Sequence, residues 1–273
     1  MNLHELIFTN NQCYKKPYII IPKGIMVHST GSNNPHLKRY VGPNDGLLGE
    51  NKSNNHWNNP DKLCVHAFIG KLDNGEIATY HVLPYNYRAY HAGKGKLGSK
   101  YSANLNYLSF EICEDNLNDK NYFEKVYKEA VEYTAYLCKQ FNFSPLDKGV
   151  VICHSEGAQM GIASSHSDVM HWFPKFGKNM DIFRQDVYLK LNELIDKEVE
   201  DMLTDEQFAS YMDRYLANLR TKECDAWAKS YLDWAKEKGI MVGDEKGNQY
   251  PKMFITRQEV ATMFKSYYDK LDK

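Results

Sequence analysis

Residues 108–157, LSFEICEDNLNDKNYFEKVYKEAVEYTAYLCKQFNFSPLDKGVVICHSEG, decide the fold class. Leu108–Cys113 is an apolar run of strand length followed by two acids. Tyr122–Phe141 then spaces apolar residues as a helix does, with Val126, Ala130, Val131, Thr134 and Leu137 at helical intervals. Gly149–Cys153 reads as a short buried strand. Strands mixed with helices predict an α/β sheet covered by helices.

The flanking sequence extends this pattern in both directions. Upstream, Tyr18–Ile21 and Gly24–His28 read as strands separated by a Pro-Lys-Gly turn, and Asn34 to Asn59 as a long polar loop. Cys64–Ile69 and Ile77–Val82 read as a hairpin around Asp73-Asn74-Gly75. Downstream, Asp181–Ile195 is an amphipathic helix. From about Asp196 the composition shifts to Glu, Lys, Asp, Ala and Leu, with helical spacing over Glu206–Leu219 and Cys224–Lys238. Gly239 stops the second of these helices, and Thr256 with Glu259 forms a capping box opening a last helix to about Leu271. The expected organisation is an α/β domain over residues 1–195, a linker over 196–205 and a small all-α domain over 206–273.

Bulk properties narrow the function classes. The chain has 273 residues and a formal net charge of −1, which gives no basic footprint for nucleic acid. No run of 18 apolar residues exists, so no membrane insertion is expected. The N-terminal stretch lacks a basic leader followed by an apolar run, which predicts a chain that stays cytoplasmic until released. Six cysteines without a CxxC pair predict reduced thiols packed as small hydrophobes. Twenty tyrosines and four tryptophans suit either core packing or stacking on sugar-like ligands.

Ten histidines are present, and position singles out a few. His28 ends the strand GIMVHST and His154 ends GVVICHSEG, and strand ends project into the crevice where α/β sheets bind ligands. Asp168, in SSHSDVMHW, lies a loop away from His154. Two imidazoles and a carboxylate suit one Zn²⁺ and leave a fourth position for water. Strand alternation puts the Cys153 thiol on the face opposite His154, which argues against a Cys-His nucleophile.

The blocks IMVHST, CVHAFIG, AYHAG, NYLSFEICED, CHSEG and HSDVMHW, in this order, resemble the type-2 N-acetylmuramoyl-L-alanine amidases. That family includes phage endolysins and is related to peptidoglycan-recognition proteins. The opening NQCYK and the stretch HWFPKFGKNMDIFR resemble its clostridial and clostridial-phage branch most closely. The resemblance covers roughly residues 1–195. It implies a mixed central sheet flanked by helices, and a zinc-dependent hydrolase acting at the cell wall. Its substrate would be peptidoglycan, cut at the amide between N-acetylmuramic acid and L-alanine. The metal ligands fall on His28, His154 and Asp168, and the acidic catalytic residue falls on Glu111. His166 stands where the family usually has an oxyanion-stabilising Lys, and His can do that work when charged. His91 in AYHAG and Trp172 in HSDVMHW are assigned to substrate contact, and His66 to a structural or supporting role. Asp168 is followed by Val169 where the family has Pro. The segment between His154 and Asp168 is longer than in many relatives. These departures leave open an exchange of roles between His166 and Asp168, or entry of His171. A non-catalytic peptidoglycan-binding protein is the alternative function class.

The segment WAKSYLDWAKEKGIMVGDEKGNQYPKMFITRQEVATMF resembles the S-layer homology motif, which implies binding to secondary cell-wall polysaccharide. Arg257 falls on its Thr-Arg step, and a guanidinium can grip an acidic sugar bidentately. Wall-binding versions generally assemble three repeats and this chain supplies one. That leaves open a homo-oligomer through the C-terminal helices, or packing as a helical cap.

Overall fold

The computed structural model describes residues 1–51, 56–58, 63–202 and 204–271. Parts of the loop expected over Asn34–Asn59, and Leu203 of the expected linker, lie outside the described residues. The described chain divides into two compact units, Met1–Lys197 and Glu198–Lys273.

In the first unit six strands form one sheet: β1 (Leu3–Glu5), β2 (Gly24–Ser29), β3 (Ala67–Lys71), β4 (Ile77–His81), β5 (Tyr107–Ile112) and β6 (Val151–Cys153). Their order is β1-β4-β3-β5-β2-β6. Only β3 and β4 pair antiparallel; the other neighbours are parallel, so the sheet is mixed. The β3–β4 hairpin turns at Gly75, whose φ of +87° is a conformation that favours glycine. Helices α1 (Gln12–Lys15), α2 (Lys120–Phe141) and α3 (His154–Gln159) belong to the unit, and α4 (Met180–Met202) begins in it.

Side-chain alternation sorts the central strands onto two faces. Ile25 and Val27 of β2, Leu108, Phe110 and Ile112 of β5, and Val151 and Cys153 of β6 form one core with α2 and α4. Helix α2 meets that core through Phe123, Val126, Ala130 and Leu137, and α4 through Phe183, Val187 and Leu191. Asp119 caps α2 by accepting from the Tyr122 amide, and Asn142 ends it in the left-handed region. The opposite face carries Met26, Ile152 and Tyr107 in one cluster, and Phe68, Tyr80 and Leu37 in another. Residues one step out of phase with the helix-covered core, His28, Glu111 and His154, therefore share this second face. All three also stand at carboxyl ends of parallel strands.

Two strand readings change. Tyr18–Ile21 forms no strand. Ile19 makes an isolated bridge to Tyr87, and Tyr18, Ile19 and Ile21 are exposed between Pro17 and Pro22, whose missing amides interrupt a ladder. Conversely, Leu3–Glu5 adds to the sheet edge beside β4 although it holds a single aliphatic residue.

The second unit contains α5 (Asp205–Arg220), α6 (Ala226–Glu237) and α7 (Arg257–Leu271). Thr204 caps α5 reciprocally with Gln207. Gly239 follows α6 at φ +64°. The Thr256 amide donates to Glu259 and the Glu259 amide donates to the Thr256 hydroxyl, which makes the capping box of α7. Asp244 accepts from Asn248 and Tyr250 and pins the intervening loop. Arg257 is exposed at the first turn of α7. No described helix is long and apolar enough to cross a membrane.

Candidate metal centre

The parallel pairing of β2 with β5 places His28 directly opposite Glu111. The pairing of β2 with β6 brings His154, the first residue of α3, to the same edge. Asp168 reaches them because its carbonyl accepts from the Ser155 amide, fixing the returning loop on the start of α3.

Three donor atoms converge. His28 Nδ1 lies 3.1 Å from His154 Nδ1 and 3.1 Å from Asp168 Oδ2, and His154 Nδ1 lies 3.7 Å from the same carboxylate oxygen. The other ring nitrogens are engaged elsewhere. His154 Nε2 donates to the Ser164 carbonyl at 3.0 Å, and His28 Nε2 contacts His91 Nδ1 at 2.8 Å. With those Nε2 protons donated, both Nδ1 lone pairs face the carboxylate. Such a set repels itself unless a cation sits among its members. Tetrahedral zinc with ligand bonds of about 2.0–2.1 Å separates its ligand atoms by about 3.3 Å, close to these spacings. The donors thus fit a zinc ion, with partners behind the imidazoles that fix their tautomers. Among the described residues no other group of three His, Cys, Asp or Glu side chains converges this way.

Glu111 stands beside this set, half-buried, with its Oε2 fully buried and without a hydrogen-bond partner. Burial, with Asp168 and Glu114 nearby, pushes its carboxyl well above the usual range. Burial works the same way on Asp168, but His28, 3.1 Å away, and the His154 imidazole overcome it and hold that carboxyl below its usual value. Burial, with His28 adjacent, lowers His154 to about 4. His154 is therefore neutral and able to ligate at neutral pH. His91 is pushed well below its usual value by burial and then by the neighbouring histidines, and its Nε2 is left without a partner.

These groups line an open cavity of about 710 Å³. His166 is exposed on its wall, with its ring centroid 4.7 Å from that of His154. His171 also lines it, bonded to Glu114 at 2.9 Å. Glu114 is only 3% exposed, so it is no solvent-facing carboxylate. The pairing of Glu114 with His171, and the grip of Ser164 on His154, were invisible in sequence because no local signal marks either.

Trp172 requires correction. It is 0% exposed and packs against Tyr122 and Phe123 in the helix-covered core, so its ring is not available to a substrate. His66 is likewise buried; it accepts from the Ser109 amide and donates to the Tyr87 carbonyl. Burial lowers it to about 4. The Cys153 thiol lies in the helix-covered core, away from the donor set, and burial raises its pKa.

Comparison with known proteins yields matches over both units. The profile of the N-acetylmuramoyl-L-alanine amidase family matches residues 18–171, and that of the S-layer homology domain matches residues 221–261. The fold is similar to that of the Staphylococcus aureus hydrolase AmiA, solved in complex with its ligand. That chain is 17% identical with a TM-score of 0.52, over 72% of this chain and 86% of AmiA. A mutant endolysin from Bacillus subtilis is 23% identical with a TM-score of 0.45, over 68% of this chain and 99% of the endolysin. PlyL is 17% identical with a TM-score of 0.46, over 68% of this chain and 96% of PlyL. No curated protein sequence matches the chain.

Proposed function

Since the chain belongs to the N-acetylmuramoyl-L-alanine amidase family, whose profile spans more than half of it, we propose that it hydrolyses peptidoglycan at the amide joining N-acetylmuramic acid to L-alanine, using one zinc ion held by His28, His154 and Asp168. The observation that carries this reading is the convergence of two imidazole nitrogens and a carboxylate oxygen beside Glu111, whose Oε2 is buried and unpartnered. Zinc, when bound there, lowers the pKa of a water ligand and polarises the scissile carbonyl. Glu111 takes a proton from the attacking water and returns it to the leaving L-alanine amine. Its raised pKa suits the second half of that task, because the acid form must be reachable near neutrality. His166, exposed on the cavity wall, faces the oxyanion as it develops. His91, whose side chain lines the cavity beside His28, contacts the bound substrate. A purely binding role gives no reason for a buried, unpartnered carboxylate oxygen next to the donor set.

The C-terminal segment, residues 206–273, is proposed to hold the enzyme at the wall through secondary cell-wall polysaccharide, with Arg257 as a contact. The S-layer homology match supports this assignment. The reading of the catalytic unit is tested by counting zinc per chain by mass spectrometry, for the intact chain and for His154→Ala. One equivalent falling to well below one is expected. Full hydrolytic activity in zinc-free protein contradicts it.

A further inference from the structure

A second cavity opens beside the metal centre. Its volume is about 780 Å³, and it shares Ser164, His166 and Ser167 with the cavity of the donor set. Lys94 and Lys96 line it, together with serines and a glutamine, and no carboxylate does. Both lysines are exposed, and neither has an ion-pair partner among the described residues.

The loop that carries them is fixed in place. The Ser164 amide donates to the Ala92 carbonyl at 2.8 Å, and the Leu97 amide donates to the Gly161 carbonyl at 3.0 Å. Gly95, between the lysines, lies so close that a Cβ there would stand 2.1 Å from the Gly161 oxygen. Residues 92–97 are thereby sealed against the segment that leads to His166 and Asp168, with one lysine on each side of the contact.

We propose that this cavity is a subsite for carboxylates on the peptide arm of the substrate, with Lys94 and Lys96 as the residues that select for them. The inference rests on the amidase reading above. The bond cut in that reading divides the substrate unevenly in charge. The sugar side is uncharged once its lactyl group is in amide linkage, while a peptide that begins at alanine carries a terminal carboxylate and any acidic side chains. A cavity with two cations and no acid, opening directly from the centre, suits the charged side. The main cavity's own lining, by contrast, includes Thr30, Leu63 and Leu117 and no lysine or arginine, with the His171 imidazole already engaged by Glu114. That lining suits the uncharged sugar.

The experiment uses the full zinc-loaded chain and two soluble muramyl peptides, one with free peptide carboxylates and one with those carboxylates amidated. KM for the free acid is expected to be roughly five-fold below that for the amide, the scale of two exposed ion pairs. In the Lys94→Met/Lys96→Met double variant this preference disappears, with kcat within about two-fold of wild type, as befits lost uniform binding. Calorimetry of the released alanine-headed peptide, which needs no turnover, shows the same preference and the same loss. Because both side chains are exposed, the variant melts as wild type does. Equal KM values in the wild type, or an unchanged preference in the variant, overturn the subsite while leaving the amidase reading intact. A loss seen only on whole walls and absent on soluble peptides assigns the lysines to a wall polyanion and overturns the proposal. If the wild-type chain cleaves neither peptide, the amidase reading itself fails, and the subsite with it.

Discussion

Replacing Glu111 by Gln separates ligand from catalyst, and it moves activity and stability in opposite directions. The amide keeps the shape of the carboxyl but cannot accept a proton from water. Loss of a general base costs ~10²–10⁴-fold in rate, and at ~1.36 kcal/mol per decade this is a barrier increase of ~2.7–5.4 kcal/mol. The fold does not depend on the charge, because Glu111 Oε2 is buried without a partner. Its carboxyl is raised well above the usual value of 4.5 by burial and by the Asp168 and Glu114 carboxylates. In metal-free protein the folded chain therefore retains a proton that the unfolded chain has already lost. Stability linked to this group is complete below about 4.5 and falls as pH rises toward the folded pKa. Glu111→Gln removes that dependence, so the metal-free variant should gain melting temperature on metal-free wild type as pH rises from 5 to 8. The assays are steady-state release of alanine-headed peptides, zinc per chain, and thermal melts after chelation. A variant that keeps one zinc, loses at least ~10²-fold in kcat and gains relative stability with pH meets every expectation. Retention of kcat within about ten-fold of wild type, or loss of the zinc, refutes the assigned role.

Other expectations follow from the same geometry. His28→Ala and Asp168→Ala should each bind well under one zinc per chain by mass spectrometry, since each removes one of three converging donors; an Asp168→Ala chain that keeps its metal while His166→Ala loses it would exchange those two roles. Trp172→Ala should destabilise the catalytic unit by ~3–5 kcal/mol in denaturant melts, as deletion of a fully buried aromatic does, with KM unchanged in the folded fraction; a selective rise in KM at normal stability would restore a substrate role. A chain ending at Lys197, the boundary of the first compact unit, should cleave soluble muropeptides normally and attack intact walls more slowly, because the missing segment no longer raises local concentration at the wall. Equal wall lysis by both lengths argues for a packing role of the C-terminal helices instead.

What sequence could reveal depended on how local each determinant is. The central strands were legible because Ile25, Val27, Phe110 and Val151 are apolar on the helix-covered face, while His28, Glu111 and His154 interrupt the other face at strand ends. Helix α2 announced itself through its spacing and began within two residues of its reading. Tyr18–Ile21 misled because β-forming residues between two prolines can be extended without a ladder to join. Leu3–Glu5 was missed because an edge strand of three residues carries too little pattern. In the site, the donor set followed from strand ends and from the family resemblance. Trp172 was misplaced because its neighbours in sequence, Asp168 and His171, face the cavity while its own ring turns into the core. The bond from His171 to Glu114 spans 57 positions, and the Ser164 contact closes a loop of ten, so only the folded chain brings them together.

The most direct test of the central claim is mass spectrometry of purified peptidoglycan digested with the zinc-loaded chain. Stem peptides with a free N-terminal L-alanine, alongside glycan strands that retain intact N-acetylmuramic acid, are the predicted products, and they should vanish after chelation and return with Zn²⁺. Products cut within the glycan or inside the peptide, or undiminished release from the zinc-free chain, would contradict the account.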